Sequence, residues 1–201
     1  MSPLIIALLG SPLEEGNTSK LLKKAVAGAE TAGCQVRTIH VPQLDLTSCM
    51  EFYFCRDHET CMMEDGVSAL YPVFREMDSL IIATPVMTMG IPGHLKSFMD
   101  RFQVFYCAKY ERKSRLVEKE KRKIRRTLLL SISGMNLPEN FDGVRLSARS
   151  FCDVIDCRYD DELVIRDMDN KVDLDRYPDL LEESYQKGYR LGGLLTGVVG
   201  E

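Results

Sequence analysis

The stretch LIIALLGSPLEEGNTSKLLKK, residues 4–24, decides the fold. Its six consecutive apolar residues, Leu4 to Leu9, are typical of a strand that is covered on both faces of a sheet. The strand ends at Gly10, a polar loop follows, and leucines at helical spacing then begin a helix. A buried strand joined by a loop to a helix is the repeating unit of an α/β domain with a parallel sheet.

The rest of the chain repeats this unit. Apolar runs of strand length alternate with stretches of helical periodicity, and no internal repeat or low-complexity linker separates them. We therefore predict a single α/β domain over residues 1–201, a doubly wound five-stranded parallel sheet with helices on both faces. The predicted strands are residues 4–9, 34–41, 79–84, 127–133 and 162–168, and the predicted helices are residues 21–33, 67–78, 94–106, 143–156 and 180–195.

Composition narrows the class of protein. A chain of 201 residues with 45% hydrophobic residues can bury a core, which excludes wholesale disorder, and a net charge of −4 argues against nucleic acid as the main partner. The N-terminal apolar run is too short to span a bilayer and has no basic residue before it, so we expect a cytoplasmic protein without membrane contact. Seven cysteines, an odd number, indicate thiol, metal or redox chemistry rather than a secreted disulfide framework.

A ligand site is expected where strand order reverses, beyond the carboxyl ends of the strands. The first loop that leaves a strand there, residues 10–20, carries short hydroxyl and amide side chains just before a helix. This combination favours an anion such as a phosphate, because the helix N-terminus points its amides at the loop. The alternative is that these side chains only cap the helix. The candidate ligands are Ser11, Asn17, Thr18 and Ser19.

Two further loops leave strand ends on the same side of the predicted sheet. The second loop, residues 84–101 (TPVMTMGIPGHLKSFMDR), offers backbone amides beside soft apolar side chains, which suits a flat heteroaromatic ring. Methionines more often fill gaps in a core, which is the alternative for Met87 and Met89. The third loop, residues 131–138 (SISGMNLP), again offers serine and glycine after a strand.

Together these loops resemble those of the flavodoxin-like FMN proteins of the NADPH-dependent FMN reductase family, most closely the branch that includes the iron–sulfur flavoproteins. The resemblance rests on GSPLEEGNTSKLL, TPVMTMGIPGHLKSFMDRF and SISGM, and it runs from Leu4 to about Met135. It implies FMN as the cofactor, with the phosphate held by the four candidate ligands of the first loop. The residues implied for the isoalloxazine edge are Pro85, Val86, Met87, Thr88 and Met89, with Ser133 and Gly134 nearby.

The resemblance implies an FMN-dependent oxidoreductase that passes electrons from NAD(P)H or a reduced redox protein to an acceptor, as a homodimer or homotetramer. The alternative is a non-catalytic flavodoxin-like scaffold or a thiol or metal sensor that has lost redox activity. The hydroxyl-rich first loop favours the enzyme, whereas Met87, where many relatives carry an aromatic residue, favours the alternative. No catalytic triad or carboxylate pair is evident, and we interpret His40, His58 and His94 as structural.

The connection over residues 47–66, here called the cysteine loop, holds Cys49, Cys55 and Cys61. The iron–sulfur branch carries a C-x2-C-x2-C pattern followed by a fourth cysteine. On that pattern these three residues take the first, third and fourth positions, and Phe52 takes the second. A phenyl ring cannot ligate iron, so one of the four thiolates that a cubane cluster requires is missing.

Three interpretations of the cysteine loop stay open. The cysteines can be the remains of a degenerate motif, packed or free. They can hold a cluster with a substitute ligand from Glu51, Asp57, His58, another chain or solvent. They can also form a zinc site with His58, because three cysteines and one histidine are a permitted zinc ligand set.

The basic segment, residues 109–126 (KYERKSRLVEKEKRKIRR), carries ten Lys or Arg against three Glu. The resemblance marks it as an insertion, and its mixed charges predict an exposed helical extension with a solvated face. The functional alternative is electrostatic attraction of an acidic redox partner or of a pyridine nucleotide phosphate.

Overall fold

The computed structural model describes residues 2–199. Its five strands form one sheet in the order β2-β1-β3-β4-β5. Every neighbouring pair of strands is parallel. The chain runs outward from β1 to β2 and returns to β3 on the other side of β1, so strand order reverses between β1 and β3. The predicted fold class is confirmed. The strands are β1 (Leu4–Leu9), β2 (Gln35–His40), β3 (Ser79–Pro85), β4 (Arg126–Ile132) and β5 (Arg158–Ile165).

Helices cover both faces of the sheet, as predicted. The predicted second and third helices are each divided: a 3₁₀ turn precedes the second, and the third breaks between two shorter helices. Within residues 2–199, no helix is long and apolar enough to cross a membrane. The helices are α1 (Asn17–Thr31), α2 (Tyr71–Glu76), α3 (Gly93–Asp100), α4 (Gln103–Tyr106), α5 (Lys119–Ile124), α6 (Asp142–Val154), α7 (Met168–Lys171) and α8 (Pro178–Thr196), with a π-helical turn at Cys107–Glu111 directly after α4.

Each face of the sheet has its own hydrophobic core, because side chains alternate along a strand. On β1, Ile6 and Leu8 belong to one core, and Ile5 and Ala7 to the other. The first core is aromatic, built around Phe74, Phe98, Phe102 and Phe151, whereas the second is aliphatic and packs beneath α1 and α8. The aromatic core supports the part of the chain that carries the cysteine loop.

The basic segment differs from the prediction of one exposed helix. Only α5 is helical in the α sense within it, and Arg125 is 1% exposed rather than solvated. Its guanidinium donates hydrogen bonds to the carbonyl oxygens of Ile155 (3.1 Å), Phe74 (3.0 Å) and Arg75 (2.6 Å). These carbonyls lie at the ends of α6 and α2, where helices leave acceptors unsatisfied. The prediction of a solvated segment is wrong at Arg125, because its guanidinium caps the C-terminal ends of α6 and α2.

Other cations of the basic segment pair with carboxylates of distant elements. Lys109 lies 2.9 Å from Asp153 of α6, and Lys121 lies 2.7 Å from Asp78, just before β3. Arg115 pairs with Asp156. Much of the segment's charge is therefore compensated within the domain rather than by solvent.

Candidate functional site

The first loop leads from β1 to the N-terminus of α1, which lies uncapped at the point where strand order reverses. Gly16 occupies the N-cap position of α1, and no side chain caps the helix. The first helical hydrogen bond runs from Lys20 N to Gly16 O at 3.0 Å, so the amides that precede it have no acceptor in the helix. The alternative that the polar side chains of this loop only cap α1 is wrong. An uncapped N-terminus with the positive end of the helix dipole favours an anion.

Thr18 and Ser19 stand in this first turn with their residues almost fully buried, at 2% and 3% exposure. Within residues 2–199, neither hydroxyl takes part in a hydrogen bond. Neither oxygen is among the fully buried side-chain atoms of the described residues that lack a partner, so both hydroxyls can be reached from the surface. Both are therefore available to a ligand at the N-terminus of α1. Ser11 is also buried, and its hydroxyl accepts a hydrogen bond from Leu13 N at 3.2 Å.

Asn17 makes different contacts from its three neighbours in the prediction. Its side-chain amide donates to the carbonyl of Val172 (2.8 Å) and accepts from Leu174 N (3.0 Å), so it is bonded to the segment between α7 and α8. Next to it, Lys20 contacts Asp173 at 2.5 Å, and this hydrogen bond raises the pKa of Lys20 and lowers that of Asp173. Asn17 therefore joins the first loop to that segment, and its role as a phosphate ligand stays a prediction.

The second loop forms a tight turn from Met87 to Gly90, which exchange two backbone hydrogen bonds of 2.9 and 3.0 Å. The two central residues, Thr88 (φ 49°) and Met89 (φ 59°), both lie in the left-handed region that favours glycine. Two consecutive positive φ angles define a type I′ turn. Met87 and Met89 are 42% and 47% exposed, so the alternative that these methionines fill the core is wrong.

Neighbouring elements hold this turn at the sheet edge. Val86 N donates to Ile132 O at 2.8 Å, which extends the pairing of β3 with β4 beyond the end of β3 at Pro85. On the other side, Gly143 of α6 approaches Met89 so closely that a Cβ atom would overlap the carbonyl oxygen of Met89. The turn is therefore fixed in a strained conformation by the strands beneath it and by the helix beside it.

The third loop is more enclosed than predicted. Ser133 is 2% exposed, and its hydroxyl accepts a hydrogen bond from Asn140 at 2.7 Å. Gly134 is covered by Asp169, whose carboxylate fills the space where a Cβ atom would lie. The structure places both residues beside the carboxyl end of β4, but it uses the Ser133 hydroxyl for an internal contact.

The cysteine loop is attached to the domain by an ion pair that sequence reasoning missed. Arg101, which follows α3, is 1% exposed and donates to Thr47 O at 2.7 Å and to Asp65 Oδ1 at 3.1 Å. Asp65 also accepts from the amides of Val67 and Ser68. Burial raises the pKa of Asp65, but the hydrogen bonds from Arg101 and from the amides of Ser68 and Thr47 outweigh it and lower that pKa. The sequence feature that could have indicated this ion pair is an arginine among the phenylalanines of residues 98–105.

Cys49, Cys55 and Cys61 are all free and partly buried. Among residues 2–199, no three His, Cys, Asp or Glu side chains converge as ligands of one metal ion. His58 stacks on Phe54 with the ring centroids 3.7 Å apart, and it does not join the cysteines. The structure therefore does not support the zinc site of three cysteines and His58.

The site can now be compared with known proteins. The family described as NADPH-dependent FMN reductase matches residues 3–132, more than half of the chain. The chain belongs to the NADPH-dependent FMN reductase family. The match includes the first loop, the second loop and β4, so the predicted family is confirmed over the first two motifs from which it was predicted.

Curated relatives of the chain include iron-sulfur flavoproteins, the predicted branch. One from Archaeoglobus fulgidus is 30% identical over 96 residues, which cover 48% of this chain and 44% of the relative. One from Methanocaldococcus jannaschii is 30% identical over 97 residues, which cover 48% and 50%. This chain spans about half the length of the curated relatives it matches.

Solved structures show the same fold over nearly the whole chain. The NAD(P)H:quinone oxidoreductase from Methanothermobacter marburgensis superposes with a TM-score of 0.68 at 16% identity, covering 95% of this chain and 100% of that one. At that identity the likeness shows the fold alone. It extends the match beyond residue 132, through α6, β5 and α8.

Proposed function

We propose that this protein is an FMN-dependent oxidoreductase that takes electrons from NAD(P)H or a reduced redox protein and passes them to an acceptor. The observation that carries the proposal is the uncapped N-terminus of α1, with the accessible and unpaired hydroxyls of Thr18 and Ser19 in its first turn. This geometry suits a phosphate monoester at the switch point of the sheet. Membership in the FMN reductase family identifies that monoester as FMN.

The residues of the first loop would have different roles in phosphate binding. The Thr18 and Ser19 hydroxyls, with the free amides of the first turn, would donate hydrogen bonds to it, and Ser11 lies at the start of the same loop. Asn17 would act indirectly, because its side chain fixes the segment at Val172. Lys20 partly neutralises Asp173 and Asp175, which would otherwise place two negative charges beside the phosphate.

The Met87–Gly90 turn would follow the edge of the isoalloxazine ring. In a type I′ turn the amides of the two central residues are not used by the turn itself, which leaves those of Thr88 and Met89 for the ring. Pro85, Val86 and the exposed side chains of Met87 and Met89 would supply the apolar contact. FMN, when bound, supplies the redox chemistry, while the chain binds and orients it.

An uncapped helix and a strained turn favour this function over the scaffold alternative. Both features cost stability in a protein that binds nothing, since an open helix end and left-handed non-glycine residues are unfavourable by themselves. The thiol-sensor alternative is also disfavoured, because burial raises the pKa of the Cys107 thiol to about 12 and also raises that of Cys55. Neither thiol is therefore a ready nucleophile at neutral pH. A homo-oligomer and a cytoplasmic location belong to the same proposal.

The test compares FMN with riboflavin, which lacks the phosphate. In the T18A/S19A double variant, FMN affinity measured by flavin fluorescence should fall by at least about 100-fold, because each charge-assisted hydrogen bond contributes about 1.5–3 kcal/mol. Riboflavin affinity should change little, since riboflavin makes no phosphate contact. T31A, at the far end of the same helix, is the matched control and should leave both affinities unchanged.

Two outcomes would contradict the proposal. If wild-type protein does not bind FMN, the function is wrong. If T18A/S19A weakens FMN and riboflavin equally, the hydroxyls support the site without contacting the phosphate, and the assignment of the phosphate ligands is wrong. Circular dichroism of each variant establishes that the loss is not one of folding.

The names of the relatives raise the question of a second cofactor. Two of them are called iron-sulfur flavoproteins, and this chain has three of the four cysteines that the pattern requires. Whether the chain holds a cluster depends on a fourth sulfur ligand in place of Phe52.

A further inference from the structure

A cavity of about 650 Å³ lies between the cysteine loop and the elements from α3 to the π-helical turn. It is lined by Cys49, Cys55 and Cys61 and also by Cys107, a cysteine far away in the sequence. The remaining three cysteines are buried elsewhere. Four of the seven thiols of the chain therefore face one space.

Cys107 is held there by the structure around it. It is the first residue of the π-helical turn, and such turns occur frequently at functional sites. Its Sγ atom lies 3.8 Å from Sγ of Cys55, in contact but far from the roughly 2.05 Å of a disulfide bond. Arg112, which follows the turn, donates hydrogen bonds to the carbonyl oxygens of Cys55 and Arg56. The π-helical turn and the cysteine loop are thus joined on both sides of the sulfur contact.

Arg101 gives an independent indication of a ligand in this cavity. Its buried guanidinium lines the cavity, and Nη2 lies 3.6 Å from Sγ of Cys61, which also accepts a hydrogen bond from Met63 N. The Nε atom of Arg101 is buried and has no hydrogen-bond partner within residues 2–199. A buried cation with an unused donor beside sulfur atoms suits an anionic sulfur centre, because hydrogen bonds to the sulfurs stabilise its negative charge.

The size of the cavity and the lack of convergence of the described side chains on one point favour a cluster over a single ion. A structural zinc ion draws four ligands to about 2.3 Å and closes its site, whereas no three candidate side chains of residues 2–199 converge in that way. The thiolates of a cubane cluster bind four different iron atoms, so they stand farther apart around an occupied space. The 3.8 Å contact between Cys55 and Cys107 would therefore have to widen when a cluster binds. Phe52 is 57% exposed and also lines the cavity, but its phenyl ring gives no ligand.

We propose that Cys107 supplies the sulfur ligand missing at Phe52, and that Cys49, Cys55, Cys61 and Cys107 together hold an iron–sulfur cluster. The inference rests on the proposed function, in which the same chain binds FMN. It differs from a compact four-cysteine loop, because one ligand comes from a π-helical turn on a different element. The aromatic core that supports this turn thereby positions the fourth thiol.

The test uses the full chain, incubated anaerobically in parallel with ferrous iron and sulfide or with zinc, and measures iron, zinc, sulfide, FMN and the visible spectrum on the same samples. Wild-type protein should take up about four irons and four sulfides, the content of a [4Fe–4S] cluster. C107A should lose at least three quarters of the iron and the broad sulfur-to-iron absorption. F52C/C107A, which moves the fourth thiol into the cysteine loop, should regain both. C34A, a buried cysteine outside the cavity, is the matched control and should match wild type.

Each contrary result overturns a defined part of the proposal. If C107A keeps the iron content of the wild type, Cys107 is not a ligand. If the wild type takes up zinc but not iron, the site does not hold an iron–sulfur cluster. If F52C/C107A remains without iron, the loss in C107A is structural and Cys107 is not a ligand. FMN bound without iron in the wild type overturns the cluster and leaves the proposed function intact. A wild-type chain that binds no FMN overturns the proposed function, whatever its iron content.

Discussion

At the scale of single residues, the Met87–Gly90 turn places two consecutive non-glycine residues, Thr88 and Met89, at positive φ. Thr88 is β-branched, and a left-handed conformation costs an ordinary residue about 1–2 kcal/mol and a β-branched residue at least as much. Such strain persists where the surroundings over-determine it, and it accumulates at ligand sites. Glycine or asparagine would form the same turn at a lower cost in conformational free energy. The predicted contact of this turn with the flavin ring explains why a strained residue is kept there.

Substitution of Thr88 by Asn should therefore stabilise the protein without cofactor. Asparagine tolerates the left-handed region and is the preferred first residue of a type I′ turn, so T88N should raise the free energy of unfolding by about 1 kcal/mol. Chemical denaturation followed by circular dichroism measures the change. M87N places the same side chain on a residue with negative φ, one position earlier, and should give no gain. A T88N protein no more stable than wild type would show that the turn relaxes at no cost.

At the scale of elements, α1 and α8 pack with their backbones almost in contact. A Cβ atom on Gly188 would overlap the backbone of Ala25, and one on Gly28 would overlap the backbone near Tyr185. Neither neighbour is the end of a flexible side chain, so the overlap cannot be relieved by a rotamer change. These two glycines set the distance between the helices that cover the aliphatic core.

G188A should accordingly destabilise the protein, although alanine is the better helix former. The overlap should cost about 3 kcal/mol, at the upper end for overpacking, and the helix propensity of alanine returns about 1 kcal/mol. The net loss of about 2 kcal/mol can be measured by chemical denaturation. G93A is the matched control, because Gly93 begins α3 with open space around its Cα, so its stability should stay within about 1 kcal/mol of wild type. Equal behaviour of the two variants would mean that α8 moves freely on α1.

The elements that the sequence predicted well are those with apolar or periodic patterns. β1, β3 and β4 were placed within one residue or so of their bounds, because each is a continuous apolar run. β5 begins at Arg158, four residues before the predicted start, since its first half (RYDDE) is charged. That half lies on the edge strand, where its acidic side chains form ion pairs with cations such as Arg126 and Lys187. Ion pairs of this kind leave no apolar pattern in the sequence, so the start of β5 could not be predicted.

At the scale of the whole molecule, the switch point was predictable and the cavity of four cysteines was not. The strands and the first loop follow from local sequence, and the doubly wound fold class implies a switch point at the carboxyl ends of the strands, so Thr18, Ser19 and the second loop could be assigned to that edge in advance. The contact of Cys55 with Cys107 joins residues separated by α2, β3, α3 and α4, and no pattern in a single sequence encodes it. The same holds for Arg125, whose partners are carbonyl oxygens of two other elements.

Carboxylates with lowered pKa values fasten separate parts of the molecule together. Burial alone raises the pKa of Asp65 and of Asp153, but hydrogen bonds from Arg101 and from Tyr110 and Lys109 outweigh it and lower both. Asp65 holds the cysteine loop, and Asp153 holds the basic segment. A group whose pKa is lower in the folded than in the unfolded state stabilises the fold above its ordinary pKa, and that contribution is lost as the pH falls. The whole domain should therefore lose stability in acid.

Glu162 allows this acid sensitivity to be measured at one residue. Its carboxylate on β5 accepts hydrogen bonds from Arg145 of α6 at 2.7 and 3.0 Å, and these bonds lower its pKa. Its contribution is complete above the ordinary glutamate pKa of about 4.3 and disappears as the pH falls through the lowered value. E162Q should reduce the free energy of unfolding at pH 7 by about 1 kcal/mol, since the pair is partly exposed, and should flatten its decline between pH 6 and 3. E183Q, on the exposed side of α8, should keep the wild-type slope. An E162Q protein with the wild-type slope would place the acid sensitivity in the other carboxylates.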